Sequence, residues 1–243
     1  MCLYRLKLNI NNSMKRVTRW LRNILIFFFT STILSVVILK YIPVYVTPLM
    51  LIRAVEQMMD GKEPVIKHYW VPLDRISHNL PQAAMASEDN LFLKHKGFDL
   101  EQIQKAQIEA QEGKRQRGAS TISQQTARNV FLWQKRSWLR KGLEAYFTFL
   151  IEKIWGKERI MEVYLNSIEM GKGIYGADAV ARANFNTTPD KLTKDQCAYI
   201  AVSLPNPLER DSAHPTAKMK KMHNTVLKRM KQIDQFPKEA CAQ

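Results

Sequence analysis

Cysteine, glycine and proline are all scarce in this chain of 243 residues, at three, nine and ten copies. Cys2, Cys197 and Cys241 are scattered, so neither a metal-ligand cluster nor a disulfide framework is present in the sequence. A bridge between Cys197 and Cys241 in an oxidising space would need their backbones within bonding reach, which spacing alone does not decide. Sustained period-two alternation is also missing. With so few turn residues, this argues for a mainly helical domain rather than a strand-rich one. Acidic residues are the other shortage: 22 Asp and Glu stand against 37 Lys and Arg, for a formal net charge of +15. Such a surplus predicts an anionic partner, whether nucleic acid, a phospholipid surface or a phosphorylated substrate. A hydrophobic share of 46% is ordinary, and the length allows one good-sized domain plus something small.

Charge is absent altogether between Arg22 and Lys40, where Ile, Leu, Phe and Val dominate. About 20 apolar residues span a bilayer; the run reaches that length if Lys40 snorkels and Tyr41 and Ile42 complete the turn. No small-residue cleavage site follows, so the segment reads as a retained anchor over 23–42 rather than a signal peptide. Residues 1–22 hold Arg5, Lys7, Lys15, Arg16, Arg19 and Arg22 and no acid, which keeps the N-terminus cytoplasmic. The remainder then lies outside, where nucleic acid is a poor partner and a membrane-borne anion a better one. Residues 44–59 are again apolar, broken by Pro43 and Pro48. They suit either a second membrane contact or a first core helix.

Pro81 fits the first turn of a helix running through Ala83, Ala84 and Met85 to Glu88 and Asp89. A carboxylate arriving from an apolar flank has its charged form disfavoured, which suits proton transfer near neutral pH. A solvated helix end is the plainer reading. His95 and Gly97 follow, and Asp99 is placed to cap a helix with Gln102 at its third position, burying Leu100, Ile103 and Ala110.

A basic loop over 113–118 leads to a helix for which Ser120 is a candidate cap. Thr121, Gln125 and Arg128 fall on one face of it, and Ile122, Thr126 and Val130 on the other. Such a polar stripe is usually a solvated face. Its Thr, Gln and Arg content, and its start at a glycine-bracketed helix N-terminus, favour an anion instead. Residues 138–154 form the next helix, with Leu139, Leu143, Tyr146, Leu150 and Ile154 as its apolar face and Arg140, Glu144 and Thr148 on another. Lys141 flanks Glu144. A surface Arg–Glu pair of little energetic weight is the plain reading; a carboxylate held beside a phosphate is the alternative. A further amphipathic helix covers 157–166, and Gly171, Gly173 and Gly176 mark a tight, irregular loop that does not fit a dinucleotide fingerprint. The tail 218–238 is basic and helical in pattern, a solvated cover rather than a lipid-binding helix.

Five stretches in order carry a family resemblance. Glu88-Asp89-Asn90-Leu91-Phe92-Leu93-Lys94-His95-Lys96-Gly97-Phe98-Asp99 resembles the first signature of the peptidoglycan glycosyltransferases, glycosyltransferase family 51. Gly118-Ala119-Ser120-Thr121-Ile122-Ser123-Gln124-Gln125 resembles the second, Arg140-Lys141-Gly142-Leu143-Glu144 the third, residues 157–166 the fourth and 201–207 the fifth. No serine penicillin-binding domain follows, so the likeness is to the monofunctional branch. Ala119 stands where a second glycine is usual, Arg128 where lysine is usual, and Asn184 and Asn186 replace an aromatic and a glycine.

The resemblance implies a lysozyme-like, mainly α domain with a small membrane-proximal lobe. The division is then a cytoplasmic N-terminus (1–22), an anchor (23–42), a membrane-proximal segment (43–66), a catalytic domain (67–215) and a basic tail (216–243). It implies polymerisation of lipid II onto an undecaprenyl-pyrophosphate-linked glycan, with inversion at the donor carbon. Glu88 corresponds to the general base and Glu144 to a second essential carboxylate near the donor pyrophosphate, a place that allows a divalent cation, magnesium or manganese. No organic cofactor is implied. Asp89, Phe92, His95, Ser120, Thr121, Gln124, Gln125, Arg128, Arg140, Lys141 and Asn166 are the expected substrate-binding positions. The bilayer is an expected partner, with other wall-synthesis proteins, and nucleic acid is not. The competing readings are a lysozyme-like lytic enzyme or hydrolase, which needs no pyrophosphate cradle, and a non-enzymatic membrane scaffold.

Overall fold

The computed structural model describes residues 2–112, 120–135 and 137–242, with side chains from residue 14 onward other than those of Gln107 and Ala110. The basic loop expected over 113–118, and Ala119, lie outside the described residues, as does the side chain of Ala110. The chain divides into two compact units, 1–42 and 43–243. The first is one helix, α1 (Cys2–Tyr41), whose stretch Met14–Tyr41 is long and apolar enough to cross a membrane. Its Thr18, Ser31, Thr32 and Ser35 hydroxyls bond back to carbonyls of the preceding turn, so each hydroxyl donor is satisfied without water.

The second unit is mainly helical. Thr47 caps α2 (Pro48–Met59), which buries Leu49 and Met50 against Tyr175 and leaves Leu51 and Val55 exposed. It is thus a domain helix with an uncovered apolar side. A two-residue strand, β1 (Lys67–His68), and a 3-10 turn over Leu73–Arg75 lead to α3 (Asn79–Glu88). Residues 80 to 86 of α3 are all buried, and its alanines let the later helices α9 (Lys194–Ser203) and α10 (Ala217–Met230) close on it from two sides. Helix α4 (Leu100–Gln111) is capped by Asp99, whose Oδ1 accepts from Gln102 N at 2.9 Å, as expected. Leu100, however, is 75% exposed rather than buried: α4 rests lightly on its neighbours and turns this side chain outward.

Helix α5 (Ile122–Phe131) packs on α6 (Trp138–Ile154) and α7 (Lys157–Ser167). The cap of α5 is Thr121 and not Ser120, because Gln124 three residues on completes a reciprocal capping box with Thr121. Helix α6 has the expected bounds but a different buried side. Leu150 is buried as expected, but Glu144, Phe147, Thr148 and Ile151 point inward with it, while Leu139 is 68% and Trp138 93% exposed. Phe147 stacks on Phe131 at 4.4 Å, which fixes that rotation.

The glycine-rich segment after α7 is a hairpin of β2 (Glu169–Gly171) and β3 (Ile174–Tyr175), not an irregular loop. β3 lies between antiparallel β2 and parallel β1 in the order β1-β3-β2. Helix α8 (Gly176–Phe185) ends at Asn186 in the left-handed conformation (φ 47°), where asparagine can stand for the usual glycine. Asn184 donates to Ser212 Oγ at 2.8 Å. In α10, Met219, Val226 and Met230 are buried, so the tail does cover the core. Cys197 and Cys241 are both buried free thiols, and burial raises both pKa values, that of Cys241 to about 11.

Candidate active site

The last turn of α3 ends at Glu88, and the chain leaves the helix at Asp89. Asp89 is buried and ties the turn down. Both its oxygens lie 2.9 Å from His95 Nε2, and Oδ2 also accepts from Ile122 N, the first residue of α5. Gly97 N donates to His95 Nδ1 at 3.0 Å, so the imidazole carries its proton on Nε2 and gives it to Asp89. Gly97 is at φ +95°, and a Cβ there would lie 2.8 Å from Thr148 Cγ2 on α6, so glycine is required where this turn meets α6. Thr121 Oγ1 donates to Gly97 O at 2.7 Å and accepts from Gln124 N. Asp89, His95, Thr121 and Gln124 therefore form a clasp between the 89–99 turn and the start of α5.

That clasp aims Glu88. Its Oε2 accepts from Gln125 Nε2 at 2.9 Å, and its Oε1 faces Ser87 Oγ at 3.3 Å. Burial raises the Glu88 pKa, while the bonds from Gln125 and Ser87 and the charge of Arg210 oppose the rise. Tyr164, fully buried on α7, places its hydroxyl 3.5 Å from Gln125 Oε1. A phenol can only donate to that oxygen, which leaves the Gln125 amide nitrogen directed at Glu88. Burial and the nearby Glu88 charge push the Tyr164 phenol well up.

One turn along α5 from Gln125, Arg128 Nη1 lies 3.6 Å from Glu144 Oε2, and Lys141 Nζ lies 2.6 Å from Glu144 Oε1. Glu144 is 1% exposed, so a buried carboxylate is clamped between a guanidinium and an ammonium. Arg140 sits one turn before it, half-buried on α6. One carboxylate between two cations is not by itself a divalent-cation site, and the described residues hold no group of three His, Cys, Asp or Glu able to bind a metal.

A cleft of about 630 Å³ opens here, lined among others by Glu88, Asp89, Ser120, Thr121, Gln125 and Arg128. These expected residues come together, with Glu144 and Lys141 joined to them through Arg128. Others do not line it. Phe92 is core, with Lys157 Nζ 4.6 Å from its ring centre, and His95 and Gln124 act behind the wall. Asn166 is absent from the cleft. Its Oδ1 accepts from Val71 N, and its Nδ2 donates to the carbonyls of Val71 and Glu162, so its side chain is spent pinning the chain before α3.

Several residues at the site were not expected. Tyr164 falls on the apolar face of the 157–166 helix with Ile160 and Val163, a pattern that assigns it to the core rather than to a site. Arg210 donates to Val202 O at 2.9 Å while acting on Glu88; it stands three residues beyond the fifth signature, the one signal that pointed to it. Arg229, on the tail helix α10, lines the cleft with Leu204 and Pro205, so the tail contributes to the site as well as covering the core.

Comparison with known proteins identifies the family. The transglycosylase family model matches residues 56–231. A biosynthetic peptidoglycan transglycosylase of Bacteroides thetaiotaomicron is 59% identical over 223 residues, covering 92% of this chain and 90% of the relative. Proteins of the same name from Caulobacter vibrioides and Pseudomonas syringae are 52% and 42% identical, covering 79% and 90% of this chain and 83% and 93% of their own lengths. With a family model matching most of its length and relatives at this identity, the chain belongs to the transglycosylase family.

Proposed function

We propose that this protein is a peptidoglycan glycosyltransferase that polymerises lipid-linked disaccharide, with Glu88 as general base. The observation that carries the reading is the placement of Gln125 and Arg128 one turn apart on α5, the first holding Glu88 and the second reaching Glu144. Glu88 takes the proton of the acceptor sugar 4-hydroxyl as that oxygen bonds to the donor anomeric carbon. The donor carbon–oxygen bond breaks, and its electron pair leaves with the diphosphate of the lipid carrier. One displacement inverts the carbon, and base assistance of this kind is worth about 10²–10⁴ in rate.

Arg128 and Lys141 supply positive charge where the diphosphate develops negative charge. Glu144 keeps both cations aimed in the absence of substrate, and Arg140 extends the same wall. Magnesium is commonly held by one carboxylate plus substrate phosphates; Glu144 is the residue that would hold such an ion, magnesium or manganese, which would add positive charge beside the diphosphate. The apolar side chains that α4 and α6 turn outward, Leu100, Trp138, Leu139 and Phe149, suit contact with the lipid surface that carries both substrates. In this reading the enzyme works at the outer face of the bacterial inner membrane, with the basic N-terminus cytoplasmic and the cleft outside; the stretch Met14–Tyr41, long and apolar enough to cross a membrane, supports it as the anchor. Other wall-synthesis proteins are partners this location allows.

A lytic enzyme acting on neutral glycan has no use for the Arg128–Glu144–Lys141 clamp. The deciding experiment gives the purified full-length protein lipid-linked disaccharide in one tube and finished glycan in another. Polymer growth in the first is expected; shortening of glycan in the second without growth in the first refutes the reading.

A further inference from the structure

A second cavity, of about 890 Å³, shares no lining residue with the cleft around Glu88. Tyr69, Trp70, Asp74, Arg75, Asp178, Arg182 and Asp190 bring its aromatic and charged groups. We propose that it binds a neutral saccharide chain, the chemical class of the polymer made in the cleft; in that respect the proposal rests on the function given above.

The cavity is built rather than incidental. Asn166 holds Val71 through both its N–H and its carbonyl, and Glu162 accepts from Leu73 N at 3.1 Å. Arg159 pairs with Glu162 and lies 5.0 Å from the Trp70 ring centre, which supports that ring. On the facing wall, Ser77 N donates to Pro189 O, and Ala242 bridges Ile76 and His78 through its own N–H and carbonyl. The Trp70 ring and the backbone after it are therefore held before a ligand arrives, which lowers the entropy cost of binding. Tyr69 is 63% exposed within this frame.

Charge indicates the class of ligand. In a chain of net charge +15, this cavity has three carboxylates against two guanidiniums, and Arg182 is already paired with Asp178 at 2.7 Å. An anion would find stronger attraction almost anywhere else on the surface. Paired carboxylate and guanidinium groups offer acceptors and donors without a net field, which suits hydroxyl and amide groups. Planar aromatic rings offer apolar faces to the C–H faces of pyranose rings. The volume is within the range of small-ligand sites and leaves the cavity open for a chain to continue past it.

The test is calorimetric titration of the full-length protein with a β-1,4-linked tetramer of N-acetylglucosamine, comparing wild type with Tyr69→Ala and Asp190→Asn. Both side chains are exposed, so thermal midpoint and initial polymerisation rate should match wild type. Saccharide affinity should fall about tenfold in Tyr69→Ala, the scale of one lost aromatic contact, and less in Asp190→Asn. Polymer made by Tyr69→Ala should be shorter at equal lipid-linked substrate consumed. No binding by wild type, affinity unchanged in both variants, or capture of a cationic peptide in place of the saccharide would overturn the proposal. Loss of saccharide affinity in a protein that fails to polymerise would leave this site standing and refute the polymerase reading instead.

Discussion

Glu88 and Glu144 are the same residue in two very different surroundings, joined by one face of α5. Glu88 meets an amide and a hydroxyl, and burial raises its pKa. Glu144 is buried more deeply, yet it has a cation on each oxygen. Under the proposed function, the first setting suits a proton acceptor and the second an organiser of cations. The difference comes from what α5 and α6 place beside each carboxylate.

Replacing each glutamate by its amide sharpens that contrast most. Glu88→Gln should lower the polymerisation rate by about 10²–10⁴. Its stability should move the other way. A carboxyl whose folded pKa is raised stabilises the fold fully only below its unfolded pKa and loses that contribution as pH rises through the folded value. Near neutral pH the Glu88 carboxylate is therefore carried at a cost, and Glu88→Gln should melt at or above the wild-type temperature. A lower midpoint would show that Glu88 is structural. Glu144→Gln should lose both properties, because Arg128 and Lys141 are left facing each other without a counter-charge. Activity should fall about 10- to 100-fold and stability by about 2 kcal/mol, a modest figure because Lys141 is half-exposed. Wild-type stability in that variant would break the comparison.

The remaining two predictions probe the Glu88 side alone. The Gln125 amide donates to the carboxylate and favours its charged form, so Gln125→Ala should move the acid limb of the pH–rate profile to higher pH. The rate at pH 7 should fall up to about tenfold, the weight of one hydrogen bond to a charged group. An unshifted acid limb would mean that Glu88 is not the titrating base. Tyr164→Phe acts only through Gln125, across a 3.5 Å contact, and should shift the same limb in the same direction by about twofold in rate at most. A larger effect than that of Gln125→Ala would place Tyr164 on the substrate itself.

Much of this site was legible residue by residue. Glu88 after an alanine-rich run, Gln125 and Arg128 at helical spacing, and Asp99 with Gln102 all behave as their local sequence predicts. The misreadings have physical causes. Ser120 lost the cap to Thr121 because Gln124 can answer only one of them across a capping box. The buried side of α6 was misjudged because both of its flanks are apolar enough to serve; the stacking of Phe147 on Phe131 and the pairing of Glu144 with α5 decided between them. Asn166 is spent on Val71, a partner 95 residues earlier that no local pattern reveals.

The sequence alone settled the long apolar N-terminal helix, the helical class and the order of the signatures, because those depend on composition and on spacings within a turn or two. Tertiary structure decided which carboxylate sits beside an amide and which gained two cations, that Tyr164 backs Gln125, and that Arg229 reaches the cleft at all. Charge and solvation at a point depend on everything packed around it, and residues far apart in the chain supply most of that packing.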